Sequence, residues 1–397
     1  MDPPPTASTS AAPSTSRLPS SVPLSPAIMS SFKPAKVFRK HNEQGKSFTS
    51  LDFDDKGDML ITSGEDESMQ LFDARQGKHV KQLYSKKYGV HLARFTHKSS
   101  TIIYASTKGN DDIRYLSLHD NNYLRYFKGH KKRVVSLEMS PQDDTFLSGA
   151  TDDTVRLWDL RTQNAQGLLN VAGHPCVAYD PSGSVFAVAL NLRSTILMYD
   201  LRQFDKQPFL SVHIDDPVLL ERSFPPRTPI YTSLSFSNDG KWLLVGTSGD
   251  THYVVDAFDG NLVARLECPP DQIAIGLERA IVPPYDRPVE PAAGLSSEEA
   301  KWSPDGRYVV SGSIDGRLHI WDVAPPPSEI PPDRPPPGPR CTLYPLRSTE
   351  GHISGPSRVV AFNPRNAMIA SAGFELAFWL PDPKEGLAHP ETSMDVA

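Results

Sequence analysis

His130, Ser148, Asp152 and Trp158 are the residues of this chain whose types most invite chemistry. Serine, histidine and aspartate are the side chains of a hydrolytic triad: nucleophile, general base and the carboxylate that orients it. The spacing argues otherwise. An aspartate six residues ahead of an aromatic side chain recurs as Asp152–Trp158, Asp315–Trp321 and Asp66–Phe72. A catalytic constellation occurs once, whereas a device that recurs belongs to the fold. No P-loop, HExxH, EF-hand or dinucleotide fingerprint is present. Cys176, Cys268 and Cys341 are scattered, and no Cys/His cluster has metal-ligand spacing. The chain therefore reads as non-catalytic, with no cofactor and no metal.

The elements that position these residues follow from the repeat. The run GATDDTVRLWDL ends at Trp158–Asp159–Leu160, and GSIDGRLHIWDV ends at Trp321–Asp322–Val323. Weaker copies place Phe72, Leu116, Tyr199, Val255 and Trp379 at the same point. From Phe72 the spacings are 44, 42 and 41 residues, then 56, 66 and 58. A period of roughly 40–45 residues with a Trp-Asp dipeptide specifies a WD-repeat β-propeller. The expected fold is all-β, a seven-bladed WD40 propeller. In the third blade the strands are expected at Val134–Ser140, Thr145–Ala150 and Thr154–Leu160. In the last they fall near Arg358–Phe362, Ala367–Ala372 and Leu376–Leu380, with no fourth strand after them. The missing strand is available at the front, in AKVFRK (Ala35–Lys40). Pairing it with the last repeat would close the ring and hide two sheet edges.

In repeats of this kind the His of a Gly-His pair, a strand hydroxyl, the turn Asp and the Trp indole pair their buried polar atoms with one another. His130, Ser148, Asp152 and Trp158 are the expected network of blade three, and Asp315 and Trp321 its counterpart in blade six. Phe72, Leu116, Tyr199 and Val255 have no indole N–H, so packing alone is expected to hold those blades.

Composition sets the domain limits. Residues 1–31 are rich in Pro, Ser, Thr and Ala and are expected to be a disordered tail. The propeller spans 32–382, with insertions at 217–229, 268–291 and 324–340, and 383–397 is a second tail. The 38 prolines are about twice the usual usage of roughly 5%. They concentrate outside the strands, because proline donates nothing to a sheet ladder. The insertion 324–340 (APPPSEIPPDRPPPGPR) suits an extended polyproline-II or irregular loop. There is no run of 18 apolar residues and no secretory h-region at the start, so no membrane association is expected. Scattered cysteines suit a reducing compartment, cytosol or nucleus.

The net charge is −6, which argues against wholesale capture of nucleic acid. Against that background one sector of one face is basic. The loop entering each blade and the turn between its second and third strands share a face. Blade two offers Lys86, Lys87 and Lys108 there, blade three Lys131, Lys132 and Arg133, and blade four Arg193. Arg39, Lys40 and Lys46 extend the sector toward blade one. Such a patch attracts phosphopeptide or nucleic-acid backbone, and ordinary solvated charge is the alternative. His91 and Tyr88 are candidates for lining the central pocket, with core packing the alternative.

The stretch from Lys86 to Arg161 goes beyond generic repeat pattern. With RYLSLHDN (Arg114–Asn121) in place of a Trp-Asp repeat end, it resembles the WD repeat-containing protein 82 family, including its fungal members. Ser47–Asp73 and Thr251–Glu267 are similar to that family too. The resemblance covers about Phe32 to Glu267; the proline-rich insertions of blades six and seven depart from it. It implies a nuclear, non-catalytic scaffold of COMPASS, the SET-domain complex that methylates histone H3 lysine-4. It implies partners as well: the N-terminal region of the methyltransferase, other COMPASS subunits, and RNA polymerase II phosphorylated in its C-terminal repeats. The alternative it carries is a subunit of the cleavage and polyadenylation machinery with its phosphatase, acting in termination. A stand-alone phosphopeptide reader is the reading from a different class. Direct sequence-specific binding of nucleic acid is not expected.

Overall fold

A computed structural model describes residues 23–39, 45–191, 194–204, 206–218, 230–247, 251–267, 300–313, 315–324, 339, 341–352 and 355–382. Seven sheets, antiparallel but for one added strand, follow one another around a ring, so the fold is a seven-bladed β-propeller. In blade three the strands run Val134–Met139, Thr145–Ala150, Thr154–Asp159 and Gly167–Asn170, from the axis outward. Burial follows that order. Every residue of Thr145–Ala150 is buried because neighbouring blades cover both faces of the sheet. The outermost strand of blade one, Lys78–Tyr84, alternates exposed and half-buried, since one side meets water.

The strand nearest the axis has a free edge in every blade, and its N–H groups need acceptors. Neighbouring blades supply them from side chains. Ala93 N–H donates to Ser50 Oγ at 3.0 Å and Phe95 N–H to Asp52 Oδ2 at 2.6 Å. Val177 N–H donates to Ser136 Oγ at 2.9 Å, Tyr231 N–H to Asn191 Oδ1 at 2.5 Å and Ala300 N–H to Ser233 Oγ at 3.3 Å. The inner edges are thus stitched blade to blade.

Closure is by the N-terminal strand, Phe32–Phe38, which pairs antiparallel with Leu376–Pro381 and completes blade seven. Phe38 seals the seam between blades seven and one, 4.9 Å from the Phe72 ring and 5.4 Å from Phe378. Structure is also described ahead of residue 32, within the stretch expected to be a tail. A one-turn helix at Pro26–Ser30, capped by Ser25, buries Met29 with Phe32 against Tyr308, Ile320 and Trp379. Two apolar residues, Ile28 and Met29, had a niche to fill that the Pro/Ser/Thr-rich composition around them concealed.

The chain does not pass directly from blade six to its fourth strand. Cys341–Leu343 first returns to blade five as a fifth strand, parallel to Leu262–Glu267, and only then does Arg347–Glu350 complete blade six. Arg265 ties this addition down. Its guanidinium donates to Asp216 at 3.0 Å, Glu267 at 3.2 Å and Thr342 at 3.0 Å, in a buried cluster that Tyr253 joins through Asp216. Residues 219–229, 268–291, 325–338 and 340, which carry most of the three insertions, lie outside the described residues, as does the tail 383–397. Among the described residues no helix is long and apolar enough to cross a membrane.

Candidate functional site

Blade three brings His130, Ser148, Asp152 and Trp158 together. Trp158 Nε1–H donates to Ser148 Oγ at 2.8 Å, and Ser148 Oγ lies 2.7 Å from His130 Nε2. His130 Nδ1 faces the Asp152 carboxylate at 3.2 Å, and Asp152 also accepts from Lys131 N–H at 2.8 Å and Thr154 Oγ1 at 2.6 Å. The relay has one consistent proton order: indole N–H to serine oxygen, serine O–H to Nε2, Nδ1–H to carboxylate. Burial alone would push the Asp152 carboxyl up. The hydrogen bonds from His130, Thr154 and Lys131 outweigh it and hold the group well below the usual carboxylate range. Ser148 and Trp158 are fully buried, so this serine has no route to a substrate. Gly129 leaves room for this packing: a Cβ there would displace the Arg156 guanidinium and press on the Trp158 ring at 3.1 Å.

Asp315 and Trp321 do not meet in an equivalent relay. Asp315 accepts from Ser313 Oγ at 2.7 Å and pairs with Arg317, while Trp321 Nε1–H donates to the Glu267 carbonyl at 3.4 Å. The reason is in the chain: no Gly-His pair precedes blade six. A histidine arrives from blade five instead, with His252 Nε2 2.9 Å from Ser311 Oγ and its ring edge-on to Trp321.

A second relay stands in blade seven. Trp379 Nε1–H donates to Ser371 Oγ at 2.6 Å, and His352 Nε2 lies 2.7 Å from the same oxygen. Glu375 stands where blade three has its aspartate, but at 3.8 Å from His352 Nδ1 it makes no hydrogen bond to it; it receives Arg39, just past the closing strand, at 2.9 Å. The signal that could have found it was the pair Gly351–His352 ahead of Trp379.

Blades without the indole are not held by packing alone. In blade one a chain runs Asp66–Ser68–Gln70–His79. In blade two Arg114 is buried, donating to Ser106 Oγ at 2.8 Å and Asn110 Oδ1 at 3.1 Å. Its guanidinium lies 3.4 Å from the centre of the Tyr88 ring, with Tyr126 at 5.0 Å and Tyr123 at 5.6 Å. Tyr88 therefore serves Arg114 rather than the central pocket.

The basic residues lie where the loops place them. Lys86 and Lys87 are in the loop entering blade two, and Lys108 is in the turn that bonds to that loop through Tyr88 O. Lys131, Lys132 and Arg133 enter blade three, where Thr151 N–H bonds back to Arg133 O. This is the upper face. Three of the lysines have partners within the molecule: Lys108 pairs with Glu67, and Lys86 and Lys87 lie over the rings of Tyr84 and Tyr88. Lys131 and Lys132 are exposed. Arg193 and Lys40 lie outside the described residues, and Arg39 is committed to Glu375.

At the lower face the channel widens into a cavity of about 720 Å³. Asp52, Arg94, Glu138 and Lys301 line it from the innermost strands of blades one, two, three and six. Burial pushes the Glu138 carboxyl up to about 7, with Lys301 and Arg94 pulling against the shift. No sequence spacing singled out these four, because one residue per blade meets its fellows only across the axis. Among the described residues no group of His, Cys, Asp and Glu could hold a metal ion.

Comparison with known proteins agrees with this architecture. The family described as WD domain, G-beta repeat matches residues 32–73, 121–159 and 297–322. WD repeat-containing protein 82 of Drosophila melanogaster is 40% identical over 360 residues, which is 91% of this chain and 98% of that protein. Set1 complex component swd2 of Schizosaccharomyces pombe is 44% identical over 60% of this chain and 64% of its own length. COMPASS component SWD2 of Saccharomyces cerevisiae is 36% identical over 88% of this chain and 96% of its own length.

Proposed function

The chain belongs to the family of WD repeat-containing protein 82, and from that premise we propose that it is a non-catalytic adaptor subunit of a COMPASS histone H3 lysine-4 methyltransferase complex. It works in the nucleus, holds the N-terminal region of the SET-domain subunit, and connects the complex to RNA polymerase II phosphorylated in its C-terminal repeats. The observation that carries the reading is end-to-end similarity to a protein named as a COMPASS component, 36% identical across 96% of that relative. A propeller suits the role, because its seven blades are rigid and display loops rather than a reaction centre. The basic loops of blades two and three supply the charge that a phosphorylated tail requires.

Affinity purification of the tagged protein from nuclear extract, read by mass spectrometry, tests the assignment. Recovery of the SET-domain methyltransferase with its core subunits is the expected result. Recovery of polyadenylation factors and phosphatase without the methyltransferase would move the chain to the termination machinery. The polymerase link has its own test. Reversing charge at Lys131, Lys132 and Arg133 is expected to abolish binding of phosphorylated repeat peptides while leaving the unfolding midpoint in place, and unchanged binding would overturn it.

A further inference from the structure

We propose that the lower cavity of the channel is a binding site for a single carboxylate group, received by the ammonium of Lys301. The site lies on the face opposite the basic loops and stands independently of the adaptor reading.

Cross-strand register places one residue of each innermost strand in a common layer. In blade three Phe146 pairs with Trp158, and the next residue, Leu147, pairs with Glu138 of the innermost strand. The same step in the seven blades in turn gives Asp52, Arg94, Glu138, Ala178, Ser235, Lys301 and Ala361. Around the ring the layer therefore reads acid, base, acid, two small neutral residues, base and alanine. Arg94 stands between two acidic neighbours, and its guanidinium donates to the carbonyls of Leu51 at 2.8 Å and Leu137 at 3.3 Å. Asp52 accepts from Phe95 N–H at 2.6 Å, and the Tyr179 N–H hydrogen-bonds Glu138. Lys301 is placed differently. Its neighbours in the layer, Ser235 and Ala361, are uncharged. It is half-buried on the cavity wall, and among the described residues its ammonium has no hydrogen bond and no ion pair. A partly desolvated cation without a counter-charge is unfavourable, so an anion that reaches it gains.

The chamber selects among anions. At about 720 Å³ it is far larger than a bare ion needs and lies within the usual range of ligand pockets, roughly 300–1,000 Å³. Met139, Leu234, Trp302 and Phe362 supply apolar wall between the charged groups, which suits a carboxylate on an apolar stem. A carboxylate brings one charge to Lys301. A phosphate monoester brings about −1.5 to −2, and Asp52 and Glu138 in the same layer repel the excess. A cationic side chain would meet both Lys301 and Arg94. The carboxylate can come from an aspartate or glutamate of a docked peptide, or from a small carboxylic acid.

Glu138 couples such a site to pH. Burial pushes its carboxyl up to about 7; Lys301, Arg94 and the Tyr179 N–H oppose the shift, and Asp52 adds to it. Asp54, Asp55, His97 and Arg365 line the same cavity nearer its mouth. A bound carboxylate adds negative charge to the chamber and favours protonated Glu138. Affinity is therefore highest below pH 7 and falls as pH rises through about 7.

The test is an NMR titration of the full chain with isotope-labelled lysine, the Lys301 signal being assigned by its loss in Lys301→Gln. The probes are a short capped peptide with a single glutamate, the same peptide with glutamine, benzoate, benzamide, inorganic phosphate and chloride. A saturable shift of the Lys301 signal with the glutamate peptide or benzoate, and none with the two amides, is the expected result. Lys301→Gln should weaken carboxylate binding by about tenfold or more, with folding checked by the unfolding midpoint. Glu138→Gln should still bind but lose the decline in affinity between about pH 6 and 8. Tighter binding of the peptide than of benzoate would identify a docked partner's side chain as the source, and the reverse a small acid; both uphold the site. No Lys301 response to either carboxylate would overturn it. So would carboxylate binding unchanged in Lys301→Gln, or chloride or phosphate acting as strongly as the carboxylates. A decline with pH that persists in Glu138→Gln would overturn the part given to Glu138 and assign the proton to His97.

Discussion

Asp152 illustrates how a residue with a catalytic appearance serves stability. Its carboxylate satisfies the imidazole of His130, the hydroxyl of Thr154 and the backbone N–H of Lys131 at once. Asp152→Ala strands those donors in a buried setting and is expected to destabilise the protein by about 1–3 kcal/mol in denaturant unfolding. A loss below about 0.5 kcal/mol, the size of a surface substitution, would contradict the relay. Glu138 behaves oppositely with pH. Its folded pKa is raised to about 7 from an ordinary 4.5, so the folded state holds the proton more tightly than the unfolded chain. The stability it contributes is complete below about pH 4.5 and is lost as pH rises toward 7. Asp52, Arg94 and Lys301 share that cavity, and Glu138→Gln should flatten this part of the stability–pH curve; an unchanged slope would show that the carboxyl titrates normally.

Elements of this fold are stable only as members of the ring. The strand Phe32–Phe38 has no partner near it in sequence, yet it supplies the outer strand of blade seven and places Phe38 between Phe72 and Phe378. Phe38→Ala is expected to cost about 3–5 kcal/mol, the usual range for emptying a buried aromatic site. Limited proteolysis should then cut first near the clasp, because the blade loses its seal there. Cutting spread evenly around the ring would mean that closure does not depend on this side chain. The strand Cys341–Leu343 is the opposite case: three residues, parallel to blade five, held through Thr342 by a buried arginine that already binds two carboxylates.

Charge asymmetry appears only at the scale of the whole molecule. The chain is acidic overall, with a formal net charge of −6, yet blades two and three present Lys86, Lys87, Lys108, Lys131 and Lys132 on one face. Binding of a phosphorylated peptide to that face should weaken steeply as salt rises through the range where the Debye length falls below about 10 Å. Measuring affinity at several ionic strengths checks this, and a salt-independent affinity would point to an apolar contact surface elsewhere.

What the sequence by itself determined was the number of blades, the strands of blade three, the closing strand and the relay His130–Ser148–Asp152–Trp158. Each is written in local period or local spacing, which the antiparallel hairpin converts directly into geometry. The tertiary structure alone decided the rest. Trp321 and Asp315 share the spacing of Trp158 and Asp152 but not their partners, because the histidine that completes a relay comes from a separate loop. Arg114, two residues ahead of the Leu116 that stands in the Trp position, is buried among tyrosines, a role that no repeat pattern encodes. Asp52, Arg94, Glu138 and Lys301 came together across the channel from blades that the sequence keeps some 40 residues or more apart. Ring closure creates those neighbourhoods, and nothing shorter than the ring contains them.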